Sequence, residues 1–330
     1  MEYRALGKTG LRVSALGFGC GNVGGLMVRG TAAEQQHAVA RAMELGINYF
    51  DTAPSYGNGL SEQHLGRALK AVQATNVYVG TKFRLTAQDM GDIGGAVARS
   101  LDASLQRLGL DRVDLLQLHN HIALQRNADA GGLSVQDVLA SVVPALQTLQ
   151  RQGKIRFCGI TGLGETVAVH QVIASTAFDT VQVCYNLLNP SAGVEVPAGF
   201  PAQNFDRLLT QAEQHQMGVI GIRVLAAGAL SGVETRHPIA VPTVDPIASG
   251  PNYHTDVQRA QAFHTLLQAG HVQDLVEASL RFAVGHAAVS TVLLGYSSLE
   301  HLELAATYIS RGPLPPAALT QLAATWQQMR

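Results

Sequence analysis

Residues 47–66 read INYFDTAPSYGNGLSEQHLG and contain a strand, a loop and the start of a helix. The apolar segment ends on a carboxylate, Asp51, and the loop that follows carries Tyr56 between proline and glycine residues. A helical pattern begins after Ser61. Polar side chains at the carboxyl end of an apolar strand are typical of the active face of an α/β fold. This stretch therefore predicts one strand–helix unit whose loop holds functional groups.

The same unit recurs along the chain, because short apolar or β-branched runs alternate with longer helical patterns. The candidate strands are VSALGFG (13–19), INYFD (47–51), VYVGTK (77–82), DLLQLH (114–119), IRFCGIT (155–161), VQVCYN (181–186), GVIGIR (218–223) and STVLLG (290–295). Most of them lack polar alternation, as is expected of strands covered on both faces. Eight such units predict a (β/α)8 TIM barrel of the α/β class.

Further patterns predict additions to this barrel. The opening YRALGKTGLRVS indicates a hairpin that turns at Gly7–Gly10 and caps the bottom of the barrel. A segment rich in proline and glycine, residues 231–256, is expected to lie over the active face. Pro144 predicts a break in the helical stretch 134–154. The tail from Pro313 onward predicts an extra C-terminal helix.

Composition limits the classes of partner and the compartment. The chain has 330 residues, of which 47% are hydrophobic and 14% charged, and its net charge is −1 without any basic run. We therefore expect a single domain over residues 1–330, with neither a nucleic-acid nor a membrane partner. The three cysteines, at 20, 158 and 184, lie far apart in apolar stretches, and the N-terminus has no apolar leader. These features favour a reducing, cytoplasmic location, whereas the oligomeric state is unknown from the pattern.

A glycine pattern at residues 19–24, GCGNVG, matches the GxGxxG of dinucleotide-binding Rossmann units. In those units the helix begins at the glycines, so that its amide groups hold the pyrophosphate. Here the first helix signal is a capping box at Thr31–Glu34, and Asp51 lies too far along the chain to bind the ribose. We favour a glycine-rich loop that passes close to a ligand, with Cys20 at the contact, and leave the Rossmann unit as the alternative.

Four polar residues stand at or just after strand ends: Asp51, Tyr56, Lys82 and His119. A phenol has a pKa near ~10, and a neighbouring ammonium lowers it toward the range useful for proton transfer. A buried lysine needs a carboxylate, and an imidazole can hydrogen-bond a substrate oxygen. The pattern predicts Tyr56 as the acid/base and Lys82 as the group that tunes it. Asp51 would anchor Lys82, and His119 would orient the substrate.

The pair His119 and His121 also raises the question of a metal site. No third ligand follows at a suitable spacing, and zinc sites use three or four ligands. We therefore expect no metal.

The motifs resemble the aldo-keto reductase family over nearly the whole chain. FDTAPSYGNGLSEQHLG (50–66) is similar to its second-strand signature, and SLDASLQRLGLDRVDLLQLH (100–119) to its third-helix and fourth-strand signature. The blocks GKIRFCGITG, VQVCYNLLNP and LLGYSSLEHL follow in the family's order. The resemblance implies that the family's Asp, Tyr, Lys and His tetrad falls on Asp51, Tyr56, Lys82 and His119. It also implies hydride transfer between NAD(P)H and a carbonyl carbon, with tyrosine as the proton donor and no Rossmann domain.

The resemblance further implies a set of cofactor contacts. These are Cys20, Asp51, Thr161, Gly162, Gln182, Ile222, Arg223, Val224, Leu225, Gly295, Ser297 and His301. Thr161 and Gly162 stand where the family usually has Ser and Asn for the carboxamide, and Ile222 stands where an aromatic residue usually stacks on the nicotinamide. NADP(H) is favoured from the family, with NAD(H) as the alternative, because the usual basic residue at the 2′-phosphate is not obvious.

The expected substrate is a small aldehyde, ketone or sugar. Strand-end positions suggest that Asn22, Val23, Phe83 and Asn120 line its site beside Tyr56 and His119. Three activities remain open. The first is a carbonyl reductase, and the second is an aldose 1-dehydrogenase. Family members that resemble aldose 1-dehydrogenases carry a Thr-Gly pair similar to Thr161 and Gly162. The third is a cofactor-binding regulatory subunit with slow catalysis.

Overall fold

The computed structural model describes residues 1–127 and 131–329. Its strands are β1 Tyr3–Ala5, β2 Arg12–Ser14, β3 Leu16–Gly19, β4 Tyr49–Asp51, β5 Tyr78–Phe83, β6 Val113–Leu118, β7 His121–Ala123, β8 Gly132–Ser134, β9 Ile155–Thr161, β10 Thr180–Cys184, β11 Gly218–Ile222 and β12 Val289–Gly295. Its helices are α1 Leu26–Arg29, α2 Ala32–Glu44, α3 Leu60–Ala71, α4 Ile93–Leu108, α5 Val135–Asp137, α6 Val143–Arg151, α7 Thr166–Ala174, α8 Leu208–Gln214, α9 Tyr253–Ala260, α10 Thr265–Gln268, α11 Leu275–Gly285, α12 Leu299–Ser310 and α13 Pro316–Gln328.

Strands β3 to β6 and β9 to β12 form a closed parallel barrel in chain order, and β12 closes on β3 with Gly295 opposite Gly19. The helices surround it, which confirms the predicted (β/α)8 fold. The first barrel strand begins at Leu16 rather than at 13, because residues 12–14 pair with β1 in the hairpin instead. A closed barrel excludes the Rossmann alternative. The glycine loop packs against the end of β12, where a Cβ on Gly24 would lie 2.5 Å from the backbone nitrogen of Tyr296.

The hairpin of β1 and β2 closes the bottom of the barrel, as predicted. Leu6 and Leu11 from its turn are buried together with Ile220 of β11 inside the barrel. Gly7 has a φ of +52° and lies against the backbone of Gly218, where a side chain would clash. A glycine fits this position because it tolerates positive φ and has no Cβ. The turn thus plugs the amino ends of the strands and leaves the carboxyl ends as the open face.

The predicted break at Pro144 and the predicted C-terminal helix are both present. A π-helical turn, Val138–Val142, joins α5 to α6 just before Pro144. Proline has no N–H for the bond to the carbonyl four residues earlier, so the helix widens at this point. The C-terminal helix, α13, is anchored by Trp326, whose indole Nε1 donates to the Leu187 carbonyl at 2.9 Å.

Of the segment predicted to lie over the open face, residues 231–256, the part 231–241 does so, whereas the residues from Tyr253 onward begin α9. We call residues 231–241 the covering loop. Arg29 fastens it, because its Nε donates to the Ile239 carbonyl at 2.6 Å and its Nη2 donates to the Asn22 carbonyl at 2.6 Å. The Val241 amide donates to the Val23 carbonyl at 3.3 Å. The covering loop is therefore held against the loop that follows β3.

Candidate active site

The loop after β4 turns sharply and places Tyr56 at the open face. Gly57, Asn58 and Gly59 have left-handed φ values of 61°, 52° and 89°. Glycine and asparagine are the residues that adopt this conformation most readily. The chain therefore reverses within three residues, and α3 begins directly afterwards at Leu60. The Gly-Asn-Gly sequence is thus the local reason why Tyr56 faces the strand ends.

The structure brings Asp51, Tyr56 and Lys82 into contact around one ammonium group. Lys82 Nζ donates to Asp51 Oδ1, to the Thr52 carbonyl at 2.9 Å and to Tyr56 Oη at 3.2 Å. An ammonium group has three hydrogens, so these acceptors use all of them. Tyr56 Oη therefore accepts from Lys82, and its own O–H remains available for a substrate oxygen.

The Lys82 side chain is charged despite its burial. It is only 1% exposed, and Asp51 is 3% exposed. Burial by itself lowers the pKa of Lys82, but the Asp51 carboxylate and Tyr56 outweigh burial and raise that pKa above its ordinary value. The ion pair thus keeps a positive charge next to Tyr56 inside the barrel.

His119 follows β6 and faces Tyr56. Its backbone amide donates to the Phe83 carbonyl at 2.9 Å, and its ring lies perpendicular to that of Tyr56 with centroids 6.1 Å apart. Burial, with the positive charges of Lys82 and Arg84, lowers the pKa of His119 to about 3. The imidazole is therefore neutral at physiological pH and can orient a substrate oxygen as an uncharged hydrogen-bond partner.

Two residues of this cluster were missed by the sequence analysis. Asp51 Oδ2 accepts from Tyr49 Oη at 3.2 Å, from Gln117 Nε2 at 2.9 Å and from Gln182 Nε2 at 2.9 Å. Tyr49 lies two residues before Asp51, and Gln117 lies two residues before His119. Alternate residues of a strand face the same side, so this spacing was the signal that could have found them.

A cavity of about 630 Å³ runs along the ends of β11 and β12 beneath the covering loop. Six of the residues predicted to contact a cofactor line it: Arg223, Val224, Leu225, Gly295, Ser297 and His301. Arg223 lies close enough to Tyr56 for their charges to interact. Arg236 and His237 of the covering loop also line the cavity, and neither is among the residues predicted from the sequence.

The remaining predicted cofactor residues do not line this cavity, and two of them contact Asp51: Gln182 through its side chain and Cys20 through its backbone amide, each at 2.9 Å. Thr161 is 2% exposed, and its Oγ1 has no hydrogen-bond partner among the described residues. The Gly162 amide donates to the Gln182 carbonyl at 2.7 Å. Ile222 is half-buried, and Cys20 is buried. The unpartnered buried hydroxyl of Thr161, which lies opposite Gln182 in the barrel, suits a carboxamide, and the cavity with the guanidinium groups of Arg223 and Arg236 suits a pyrophosphate. The residues present therefore fit a nicotinamide dinucleotide.

The residues predicted to line the substrate site are placed differently from one another. Val23 lines the long cavity, whereas Asn22 contributes its carbonyl to Arg29. Phe83 is 1% exposed and belongs to the hydrophobic core. Asn120 is fully buried, and its amide group donates to the carbonyls of Leu85 and Gly131 while its Oδ1 accepts from the Leu85 amide. Asn120 thus holds two loops together, because both of its amide hydrogens are already used.

A metal site and a membrane-spanning helix are both absent from the part of the chain that the structure describes. Residues 1–127 and 131–329 form no cluster of three or more His, Cys, Asp or Glu side chains that could hold a metal ion. Among these same residues, no helix combines the length and the apolar character needed to cross a bilayer.

Comparisons with known proteins agree with this geometry. L-galactose dehydrogenase of Arabidopsis thaliana is 33% identical over 312 residues, which cover 92% of this chain and 86% of that protein. D-threo-aldose 1-dehydrogenase of a Pseudomonas species is 28% identical over 258 residues, which cover 70% of this chain and 72% of that protein. The solved holo form of aldo-keto reductase AKR11C1 from Bacillus halodurans has the same fold, with a TM-score of 0.72 at 23% identity over 98% of this chain and 96% of that one. The sequence model described as the Aldo/keto reductase family matches residues 15–327, and this chain therefore belongs to that family.

Proposed function

We propose that this chain is an NAD(P)H-dependent oxidoreductase that reduces the carbonyl group of a small aldehyde, ketone or sugar to an alcohol. The single observation that carries the proposal is the Lys82 ammonium, which donates to Asp51, to the Thr52 carbonyl and to Tyr56 Oη. This arrangement prepares one phenol to lose a proton at the open face of the barrel. We propose that residues 1–330 act as one domain in this role.

The side chains have distinct tasks in the reaction. Lys82 stabilises the negative charge that develops on Tyr56 Oη as its proton passes to the substrate oxygen. Neutral His119 hydrogen-bonds the same substrate oxygen and aligns it with the phenol. In the reverse direction Tyr56 accepts the proton and Lys82 again stabilises the phenolate. When bound, the cofactor supplies or accepts the hydride.

The proposed cofactor contacts come from the cavity and from the buried residues Thr161 and Gln182. We propose that Thr161 and Gln182 bind the carboxamide, with Asp51 close by, and that Ile222 packs against the nicotinamide. Arg223 and the cavity lining beyond it would bind the pyrophosphate. Ser297 and His301 would bind the adenosine end, and NADP(H) is favoured over NAD(H) there. Ser297 Oγ donates to the Gly24 carbonyl at 2.7 Å, so its remaining capacity toward a ligand is as an acceptor.

A second candidate is the oxidation of an aldose at its first carbon to a lactone. It is favoured by the names of two relatives, L-galactose dehydrogenase and D-threo-aldose 1-dehydrogenase, and by Gly162 following Thr161. A Cβ on Gly162 would lie 2.9 Å from the Gln182 carbonyl oxygen, so the position has no room for a side chain. In this activity Tyr56 acts as the base.

The test is a panel of aldehydes, ketones and aldoses with NADPH, NADH and their oxidised forms, run on wild type and on Tyr56→Phe. We expect Tyr56→Phe to lose about 10²–10⁴-fold in turnover while it still binds the cofactor. Tyr3→Phe is the matched control, because Tyr3 Oη donates to the Gly46 carbonyl at the closed end of the barrel. Near-full turnover by Tyr56→Phe would contradict the acid/base role.

The same panel separates the activities. Steady reduction of carbonyls identifies a reductase, and steady production of NAD(P)H from aldoses identifies a dehydrogenase. Single-turnover oxidation of bound NADPH without further turnover would identify a regulatory subunit instead. A cytoplasmic location stays a prediction, which the three buried, unpaired cysteines support.

A further inference from the structure

Asp51 is shared between two sets of donors inside the barrel. One carboxylate oxygen faces Lys82, and the other accepts hydrogen bonds from Tyr49, Gln117 and Gln182. The charge that Lys82 presents to Tyr56 depends on how completely Asp51 neutralises it. The donors on Oδ2 are therefore in a position to influence proton transfer without touching a substrate.

Gln117 is an unusual residue for its place. It is fully buried near the carboxyl end of β6, where its neighbours in sequence, Leu116 and Leu118, are also fully buried. Its Oε1 has no hydrogen-bond partner among the described residues. A buried polar atom without a partner is destabilising, so an apolar residue of similar size would be the more stabilising choice here. What glutamine provides at this position, and an apolar residue would not, is the hydrogen bond to Asp51.

The surroundings of Tyr49 likewise favour a hydrogen bond from its hydroxyl to Asp51. Burial, together with the Asp51 carboxylate, raises the pKa of Tyr49, so its hydroxyl stays protonated and donates. The neighbouring strand leaves room for it, because a Cβ on Gly80 would lie 2.5 Å from Tyr49 Oη. On the other side, a Cβ on Gly159 would lie 3.3 Å from Gln117 Cγ. The glycines of β5 and β9 thus make space for both donors.

We propose that Gln117 and Tyr49 are positioning residues that set the acidity of Tyr56 by acting through Asp51 and Lys82. Their hydrogen bonds draw the negative charge of Asp51 toward Oδ2 and fix the plane of the carboxylate. Lys82 is then less completely neutralised and keeps more of its positive field on Tyr56 Oη. This inference rests on the proposed function, because it concerns the same phenol.

The test compares the ionisation of Tyr56 in wild type, Gln117→Leu and Tyr49→Phe. Phenolate absorbance is followed against pH in the free protein, and the same titration of Tyr56→Phe is subtracted to isolate Tyr56. In each variant Tyr56 should ionise at a higher pH, by roughly one unit at most for one lost charge-assisted hydrogen bond. The alkaline limb of the kcat profile for reduction should move in the same direction, and cofactor affinity should stay within a few-fold of wild type.

Thr180→Val is the matched control for a change inside the barrel. Thr180 is fully buried, its Oγ1 has no partner among the described residues, and it lies beside Gly159 as Gln117 does. Thr180→Val should leave both the absorbance titration and the pH profile unchanged. If Gln117→Leu does not fold, Tyr49→Phe carries the test, because it removes only a hydroxyl.

The outcomes separate this inference from the proposed function. If Tyr56→Phe is inactive while Gln117→Leu and Tyr49→Phe both keep the wild-type titration and pH profile, the positioning role is wrong and the proposed function stands. If Tyr56→Phe itself retains turnover, the acid/base role of Tyr56 is wrong, and the proposed function fails together with the inference that rests on it. A change in thermal stability alone, without a shift on the pH axis, would show that these residues are merely structural.

Discussion

At Lys82, one ammonium group meets three acceptors, and this arrangement fixes the direction in which Tyr56 can give a proton. The residue types were predictable, because Asp51, Lys82 and His119 each stand at the end of an apolar strand. The partners of Asp51 Oδ2 were not predicted, because their identity depends on how neighbouring strands are staggered. In the barrel Lys82 lies opposite Gln117, and this register brings Gln117 to the carboxylate.

The neutral state of His119 predicts a pH dependence of stability. Burial, with Lys82 and Arg84, lowers its pKa to about 3, whereas an unfolded chain has a histidine pKa near ~6.5. Below that unfolded value the unfolded state binds a proton that the native state does not, so the contribution of His119 is present above ~6.5 and is lost as the pH falls toward 3. The free energy of unfolding, measured with urea between pH 6 and pH 4, should fall more steeply with decreasing pH in wild type than in His119→Gln, by up to ~1.4 kcal/mol per pH unit. Equal slopes would contradict a neutral native imidazole.

Among the elements, the covering loop and the start of α12 form the outer end of the cavity. The rings of His237 and His301 meet there, with centroids 5.8 Å apart. Glu34 at the start of α2 and Glu300 at the start of α12 lie within electrostatic range of His237. His237 was missed because its place depends on the path of a long loop, which periodicity does not predict.

These elements predict that NADPH affinity depends on pH. Burial and His237 lower the pKa of His301, with Glu300 opposing them, so His301 is neutral near pH 8 and gains charge only in acid. Protonation of His301 in acid should therefore favour binding of the 2′-phosphate of NADPH. As the pH falls from 8, the affinity for NADPH relative to NADH should rise more in wild type than in His301→Ala, where only the titration of the phosphate itself remains. Fluorescence titration of both cofactors against both proteins checks this, and a pH dependence of the affinity ratio that is the same in wild type and in His301→Ala would contradict it.

A buried acid also joins elements that the sequence pattern leaves unconnected. Glu62 of α3 is fully buried, and its carboxylate accepts from Thr81 Oγ1 at 2.6 Å and from Arg107 Nε at 2.6 Å. It thereby ties α3 to β5 and to α4, next to Lys82. A charge in the first turn of an amphipathic helix carries no sign of such burial, because the partner comes from another helix.

For the whole molecule, the fold could be predicted because each barrel strand is apolar and each unit repeats. The hairpin, the break at Pro144 and the C-terminal helix followed from turn and proline chemistry. The convergence of Asp51, Tyr56, Lys82 and His119 could be predicted because strand ends meet at one face of a barrel. The surroundings of individual side chains near that face could not be predicted, as Asn120 shows. A strand-end position does not reveal whether a side chain points into a pocket or holds a loop.

The most direct test of this account is the rate of a single hydride transfer in Lys82→Met at pH 7, using NADPH and the best carbonyl from the panel. The variant removes the ammonium and keeps the apolar stem, while Asp51 retains its donors on Oδ2. We predict a rate about 10²–10⁴-fold below wild type, with NADPH affinity little changed. A rate within about tenfold of wild type in the folded variant would contradict the claim that Lys82 prepares Tyr56 to give its proton.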